Sequence, residues 1–242
     1  MELIFLVLIF TVAFLYASVG HGGASGYMAL MVLYGLSPIA MRSSVLVMNI
    51  IVSTIAFLLY YRGQHFKMIL FWPFVVTAIP MAFLGALTPM HGLLFRMLLM
   101  ACLLLGIYRL IFNIHRDAGT LRPLPIPLAL CIGGCIGYIS GLIGIGGGIL
   151  LSPVLLLMRW ANQKEAAAVS APFILSNSIV GLLGTLHNQT FIFNKQLLIM
   201  ITMATVGGIL GSFMGSFKWK PKFLNYVLAF VLLIASIKLI VS

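Results

Sequence analysis

Two glycine-rich stretches, Gly20-His21-Gly22-Gly23-Ala24-Ser25-Gly26 and Gly144-Ile145-Gly146-Gly147-Gly148, each interrupt a long apolar run. Within hydrocarbon such a break frees backbone N–H and C=O groups that no solvent satisfies. It survives only where it is buried in protein or faces a wet cavity. The helix that restarts after it presents unpaired N–H groups and the positive end of its dipole, which suits an anion. Two breaks in corresponding halves of one chain point to a binding site where the halves meet.

The breaks carry this meaning because the chain is a membrane protein by composition. Hydrophobic residues make up 62% of its 242 residues and charged ones 7%, outside the range of soluble domains. The apolar runs reach about twenty residues without the two-residue alternation of a transmembrane β-barrel. The fold class is therefore all-α, a polytopic integral membrane protein.

Charge narrows the partners. There are 14 Lys+Arg against 3 Asp+Glu, and most of the basic residues lie in short connections. That is the signature of the positive-inside rule, with anionic lipid as a by-product. Nucleic acid is not an expected partner. The expected ones are the bilayer and a small anionic substrate, and a homo-oligomer is compatible with the sequence. The acids are Glu2, Asp117 and Glu165, at the start or in loops, so no intramembrane carboxylate relay is expected. Cys102, Cys131 and Cys135 lie in apolar stretches. Cys131 and Cys135 are one helical turn apart and could serve as a thiol relay, but the reading preferred is of small buried apolar residues. No metal-ligand set or cofactor motif is present. The N-terminus has no basic n-region, so no cleaved leader is expected.

In chain order, the apolar segments 3–18 and 27–36 flank the first break, and neither is long enough to cross about 30 Å of hydrocarbon comfortably. They predict a hairpin of short helices closed by Ser37-Pro38. Longer helices follow near 42–61, 68–87 and 92–112. A polar stretch from Asn113 to Pro127 leads into a second hairpin near 126–159, broken at Gly141 to Gly148. Helices near 166–186, 196–216 and 222–241 complete the chain. The domains are thus a first repeat (1–113), a cytoplasmic linker (114–125) and a second repeat (126–242).

The repeat is weak but visible. Gly20, Gly22 and Gly23 match Gly144, Gly146 and Gly147; Asn49 matches Asn177; Arg109-Leu110-Ile111 matches Lys238-Leu239-Ile240. If each hairpin returns to the side it entered from, the halves are inverted. Arg62, Lys67, Arg109, Arg116, Arg122, Arg159, Lys164, Lys218, Lys220 and Lys222 then share one side, against Arg42, Arg96, Lys195 and Lys238 on the other. If each hairpin is instead one kinked span, the basic residues divide evenly. The inverted reading satisfies the positive-inside rule better.

The candidate substrate-binding residues are Gly20, His21, Gly22, Gly23, Ser25, Arg42, Ser43, Asn49, Gly144, Gly146, Gly147, Gly148, Ser170 and Asn177. Arg42 and Asn49, like Ser170 and Asn177, are seven residues apart and so share a helix face two turns apart. Each asparagine either ties helices together or lines a path, and Arg42 either joins the site or snorkels to the interface. His21 can donate to an anion or titrate near neutral pH, although Ile145 holds the matching place in the second break. Ser140 and the other serines offer hydroxyls unless they bond back to the preceding helical turn. No catalytic residue is expected.

The two glycine breaks, Leu36-Ser37-Pro38 with Ala40 and Ser43-Ser44, the paired Asn49 and Asn177 and the duplicated layout together resemble the sulfite exporter TauE/SafE family. The resemblance spans essentially the whole chain. It departs at Ala24, where a third glycine is common, and at Arg42, where a small or hydroxyl residue is common. It implies an inner-membrane permease for sulfite, an organosulfonate or a related anion. The residues leave two other readings open: a non-transporting membrane subunit whose glycines only pack helices, and an intramembrane hydrolase built on a serine and a histidine.

Overall fold

Apolar runs without alternation cannot make half-buried strands, and among the described residues there is helix and connection but no strand. The computed structural model describes residues 3–35, 38–88, 121–188 and 195–219, with Met97, Met100, Ala101, Leu104, Phe223, Tyr226, Phe230 and Leu233. Of the expected helices near 92–112 and 222–241 only those single residues are described. Most of the expected linker lies outside the described residues, as does Cys102.

The elements are α1 (Leu3–Ala17), α2 (Ala24–Leu33), α3 (Pro38–Arg62), α4 (Met68–Leu87), α5 (Ile126–Ile143), α6 (Gly148–Leu157), α7 (Gln163–Asn188) and α8 (Lys195–Phe213), the last running into a π-helical turn, Met214–Lys218. Helices α3, α4, α5, α7 and α8 with its π turn are long and apolar enough to cross a membrane. The helices flanking each break fold back on one another. Phe5 at the start of α1 meets Tyr34 just past α2, ring centroids 4.7 Å apart, while Gly26 of α2 lies against Val12 and Tyr16 of α1. At the open end of the second pair, the Arg122 N–H donates to the Arg159 carbonyl at 2.8 Å. Both pairs are hairpins.

Several boundaries differ from the sequence expectation, three of them for a visible reason. Helix α2 starts at Ala24, not 27, because Gly23 (φ 96°) turns the chain and the Ala24 N–H is capped by Asn49 from another helix. Helix α3 starts at Pro38, not 42, since a proline needs no N–H partner in a first helical turn. Gly141, read as part of the second break, lies inside α5, which ends at Ile143 with Gly144 as its left-handed cap.

Lipid supplies no hydrophobic drive between helices, so packing rests on close backbone approach over small residues. Along α5, Gly133, Gly137 and Gly141 lie against the backbones of Phe74, Ala78 and Ala82 of α4. In α8 and its turn, Gly207, Gly211 and Gly215 lie likewise against Phe10, Phe14 and Ser18 of the α1 hairpin. Helices α3 and α7 pack on each other, and each also packs on the long helix following the other. Cys131 and Cys135 are exposed, contrary to the expectation of burial. The glycine face of α5 turns to α4, and the cysteines fall on the outer face.

One end of the bundle collects basic residues. Lys67 pairs with Glu165 at 2.5 Å, Lys164 donates to the Ser216 carbonyl at 2.9 Å, and Arg122 joins Arg159. Asn162 and Glu165 cap α7 reciprocally: the Asn162 N–H donates to Glu165 Oε2 at 2.9 Å and the Glu165 N–H to Asn162 Oδ1 at 3.0 Å.

Candidate anion site at the paired glycine breaks

The two breaks, more than a hundred residues apart in sequence, meet in the interior. Asn49 is the hinge of the contact. A Cβ on Gly22 would fall on Asn49 Oδ1, and a Cβ on Gly146 (φ 73°) would come within 2.6 Å of Asn49 Nδ2 and 2.8 Å of Ser178 Oγ. Glycine is therefore required on both sides of this amide for space, and at Gly146 for conformation too. Both polar atoms of Asn49 are engaged within the protein. Its Oδ1 accepts from the Ala24 N–H at 3.3 Å and its Nδ2 donates to Ser178 Oγ at 2.7 Å, tying α2, α3 and α7 together.

His21 makes a second junction. Its Nδ1 lies 3.0 Å from the Val19 carbonyl and its Nε2 3.1 Å from the Gly148 carbonyl at the start of α6. Gly20 (φ 77°) is pressed on the Ala167 backbone of α7, and Gly147 (φ 76°) lies against Phe173 and Ser140. Arg42 does not snorkel. It is buried, its stem against Gly144, and its Nη2 donates to the Gly141 carbonyl.

The remaining candidates divide by whether the protein already uses them. Ser25 donates to the Tyr16 hydroxyl at 3.1 Å, and Ser170 shares a 2.6 Å hydrogen bond with Ser152. Ser43 is buried beside Arg42 on α3. By contrast Arg42 Nε, both amide atoms of Asn177, the Tyr27 hydroxyl and the Ser140 hydroxyl are buried without a hydrogen-bond partner. A buried donor left unmade costs about 1–3 kcal/mol, so such groups call for a ligand or water. Three of these four residues stand at the breaks; a further buried hydroxyl without a partner, that of Ser212, is on α8. Arg42 Nε flanks Gly144, the Tyr27 hydroxyl lies 2.8 Å from where a Gly23 Cβ would stand, and Ser140 adjoins Gly147. Asn177 is on α7 beside Ser178, the partner of Asn49.

The sequence reading missed Tyr27 and Ser178. Tyr27 had a usable signal, a hydroxyl-bearing ring one turn beyond Gly23 on a helix otherwise free of large polar groups. Ser178 had none, because its role depends on α3 lying alongside.

The described side chains at the site are basic or neutral, and none is acidic. Among the described residues Glu165 is the sole acid, held at the basic end of the bundle.

Residues 4–239 match the family model described as Sulfite exporter TauE/SafE, nearly the whole chain. The chain belongs to the TauE/SafE family. A probable membrane transporter protein of Sinorhizobium fredii is 29% identical over 235 residues, covering 96% of this chain and 95% of that one. A probable membrane transporter protein of Methanocaldococcus jannaschii is 40% identical over 70 residues, 28% of this chain and 26% of that one. No solved structure matches. As a TauE/SafE member with five described spanning helices, the protein is a multi-pass component of the cell (inner or plasma) membrane and a membrane transporter of this type.

Proposed function

We propose that this TauE/SafE protein carries a small sulfur-containing oxyanion, sulfite or an organosulfonate, by alternating access around the paired glycine breaks. The observation that carries the reading is the set of unpartnered buried donors at those breaks: Arg42 Nε, the Asn177 amide and the Tyr27 and Ser140 hydroxyls. A sulfonate or sulfite offers three acceptor oxygens and needs donors with little net positive charge, so that binding is firm enough to admit the anion and weak enough to release it. Gly20, His21, Gly22, Gly23, Gly144, Gly146, Gly147 and Gly148 form the backbone wall of this site, Asn49 holds the two breaks in register, and Ser25, Ser43 and Ser170 support it from α2, α3 and α7.

Two inverted repeats, 1–113 and 126–242 joined by a linker at 114–125, are part of this reading. Two kinds of observation support it. Each half begins with a hairpin that returns. The packing also exchanges partners as a twofold axis requires: the α1 hairpin lies on α8 while α5 lies on α4, and α3 packs on α7. The end bearing Lys67, Arg122, Arg159, Lys164 and Lys218 is then cytoplasmic.

A hydrolase is disfavoured. Both ring nitrogens of His21 lie against carbonyl oxygens, and the Ser140 hydroxyl has no partner, so His21 and Ser140 form no nucleophile–base pair. The test is uptake by reconstituted vesicles of labelled sulfite, sulfoacetate, taurine and sulfate. Transport of sulfite or sulfoacetate is expected; a protein-dependent signal from none of the four would leave the glycines as packing devices of a non-transporting subunit.

A further inference from the structure

His21 is held by two acceptors and by no donor. Its Nδ1 faces the Val19 carbonyl at 3.0 Å and its Nε2 faces the Gly148 carbonyl at 3.1 Å. A carbonyl oxygen can only accept, and a neutral imidazole has one N–H and one lone pair. In the neutral form, one of these contacts sets a nitrogen lone pair against an oxygen lone pair. Only the imidazolium, with both nitrogens protonated, makes two hydrogen bonds. The two acceptors also belong to different halves: Val19 precedes the first break and Gly148 opens the helix after the second.

We propose that His21 is the coupling site for a co-transported proton, which binds at this imidazole with the anion and clamps the two glycine breaks together. The proposal rests on the transport reading above. Protonated His21 bridges the halves through Val19 and Gly148. When the proton leaves Nε2 the Gly148 bond, one of the ties between the halves, is lost and the closed arrangement is weakened, so proton and anion are taken up on one side and released on the other. The bound oxyanion supplies the negative charge that a buried imidazolium needs. Among the described residues no acidic side chain lies against His21 to supply it. Among the described residues the titratable group set against His21 is Tyr16 of α1, its ring meeting the imidazole edge-on at 6.5 Å, while α6 brings the Gly148 backbone. This explains how a chain whose one described acid, Glu165, is paired with Lys67 at the basic end could use a proton gradient, and why histidine is needed in one break only.

The experiment is labelled sulfoacetate uptake into vesicles reconstituted with the full chain, voltage clamped at zero by potassium and valinomycin, with a lumenal pH dye reporting proton entry. Sulfoacetate stays fully ionised between pH 6 and 8, so any proton moved is the protein's. The expected result is one proton per anion, with accumulation rising about tenfold per unit of imposed pH difference. In His21→Gln the ratio falls by one proton per anion and accumulation no longer follows the gradient, whatever anion flux remains. Uptake in the wild type that moves no protons overturns this proposal and leaves the transport reading standing. Absence of uptake of sulfoacetate and sulfite alike overturns both.

A measurement that leaves His21 in place guards against a variant that does not fold. With His65, His91, His115 and His187 all replaced by Gln, the one remaining imidazole is observed by nitrogen NMR in lipid with sulfoacetate bound at pH 7. Two protonated ring nitrogens are expected, and a neutral ring would overturn the assignment.

Discussion

The Asn49 amide donates to the Ser178 hydroxyl at 2.7 Å and accepts from the Ala24 N–H, so its hydrogen bonds lie within the protein, whereas the matching Asn177 amide has none. The two asparagines at matching places in the sequence thus differ in what holds them. One fastens helices; the other's amide atoms are buried with no partner in the protein.

Asn49→Leu should therefore lower the melting temperature by removing a buried tie, a loss of about 1–3 kcal/mol. Asn177→Leu should leave melting nearly unchanged and weaken anion binding, roughly tenfold to a hundredfold for the same energy. Thermal unfolding beside vesicle uptake for both variants checks this. If Asn177→Leu transports normally, the amide is not part of the path.

Helix α5 offers an internal comparison of glycines. A Cβ on Gly137 would strike the Ala78 backbone at 2.6 Å or less, whereas one on Gly134 would meet Thr77 and Met81 at an ordinary 3.7 Å. Gly137→Ala is expected to force α4 and α5 apart and destabilise by about 1–3 kcal/mol. Gly134→Ala should be neutral or slightly stabilising. Melting temperatures in detergent decide it, and equal effects would mean the interface is looser than described.

Glu165 does two things, and they separate by mutation. Glu165→Ala removes a reciprocal cap as well as the pair with Lys67 and should cost about 0.5–2 kcal/mol. Lys67→Ala removes only the pair, whose lysine is half exposed, and should cost ~1 kcal/mol or less. Chemical or thermal unfolding of the two variants should rank them in that order; the reverse order would mean that the ion pair stabilises this end of the bundle more than the cap does.

His65 lies between α3 and α4, where partial burial and the Lys164 ammonium push its pKa below the ordinary value of 6.5, against smaller opposing effects from the Ser216 backbone and Glu165. A folded state that holds this proton less firmly than the unfolded chain is stabilised above pH 6.5 and loses that contribution as pH falls through the folded-state pKa. The melting temperature should drop between pH 7.5 and 5, and by less in His65→Gln. An identical drop in the variant would assign the pH sensitivity to other groups.

Composition and periodicity alone were enough for part of this architecture. Sustained apolar runs forced helices in a membrane, and two glycine clusters forced two interruptions. Short segments flanking the first break forced a hairpin there. Those features follow from local chemistry, because a backbone in hydrocarbon must satisfy its own hydrogen bonds wherever it lies in the fold. Gly20, Gly22, Gly144 and Gly146 were legible for that reason. Which polar atoms are left over was settled only when the helices packed. Nothing local distinguishes Asn49 from Asn177 or marks Ser178, since each atom's availability depends on what another helix offers it. Arg42 at the start of a helix could have reached for the interface until the Gly141 carbonyl claimed it, and Cys131 and Cys135 lie on the outside because the glycine face of α5 had already been taken by α4. Hydrogen-bond completion is a property of pairs of residues far apart in the chain, and only the fold brings such pairs together.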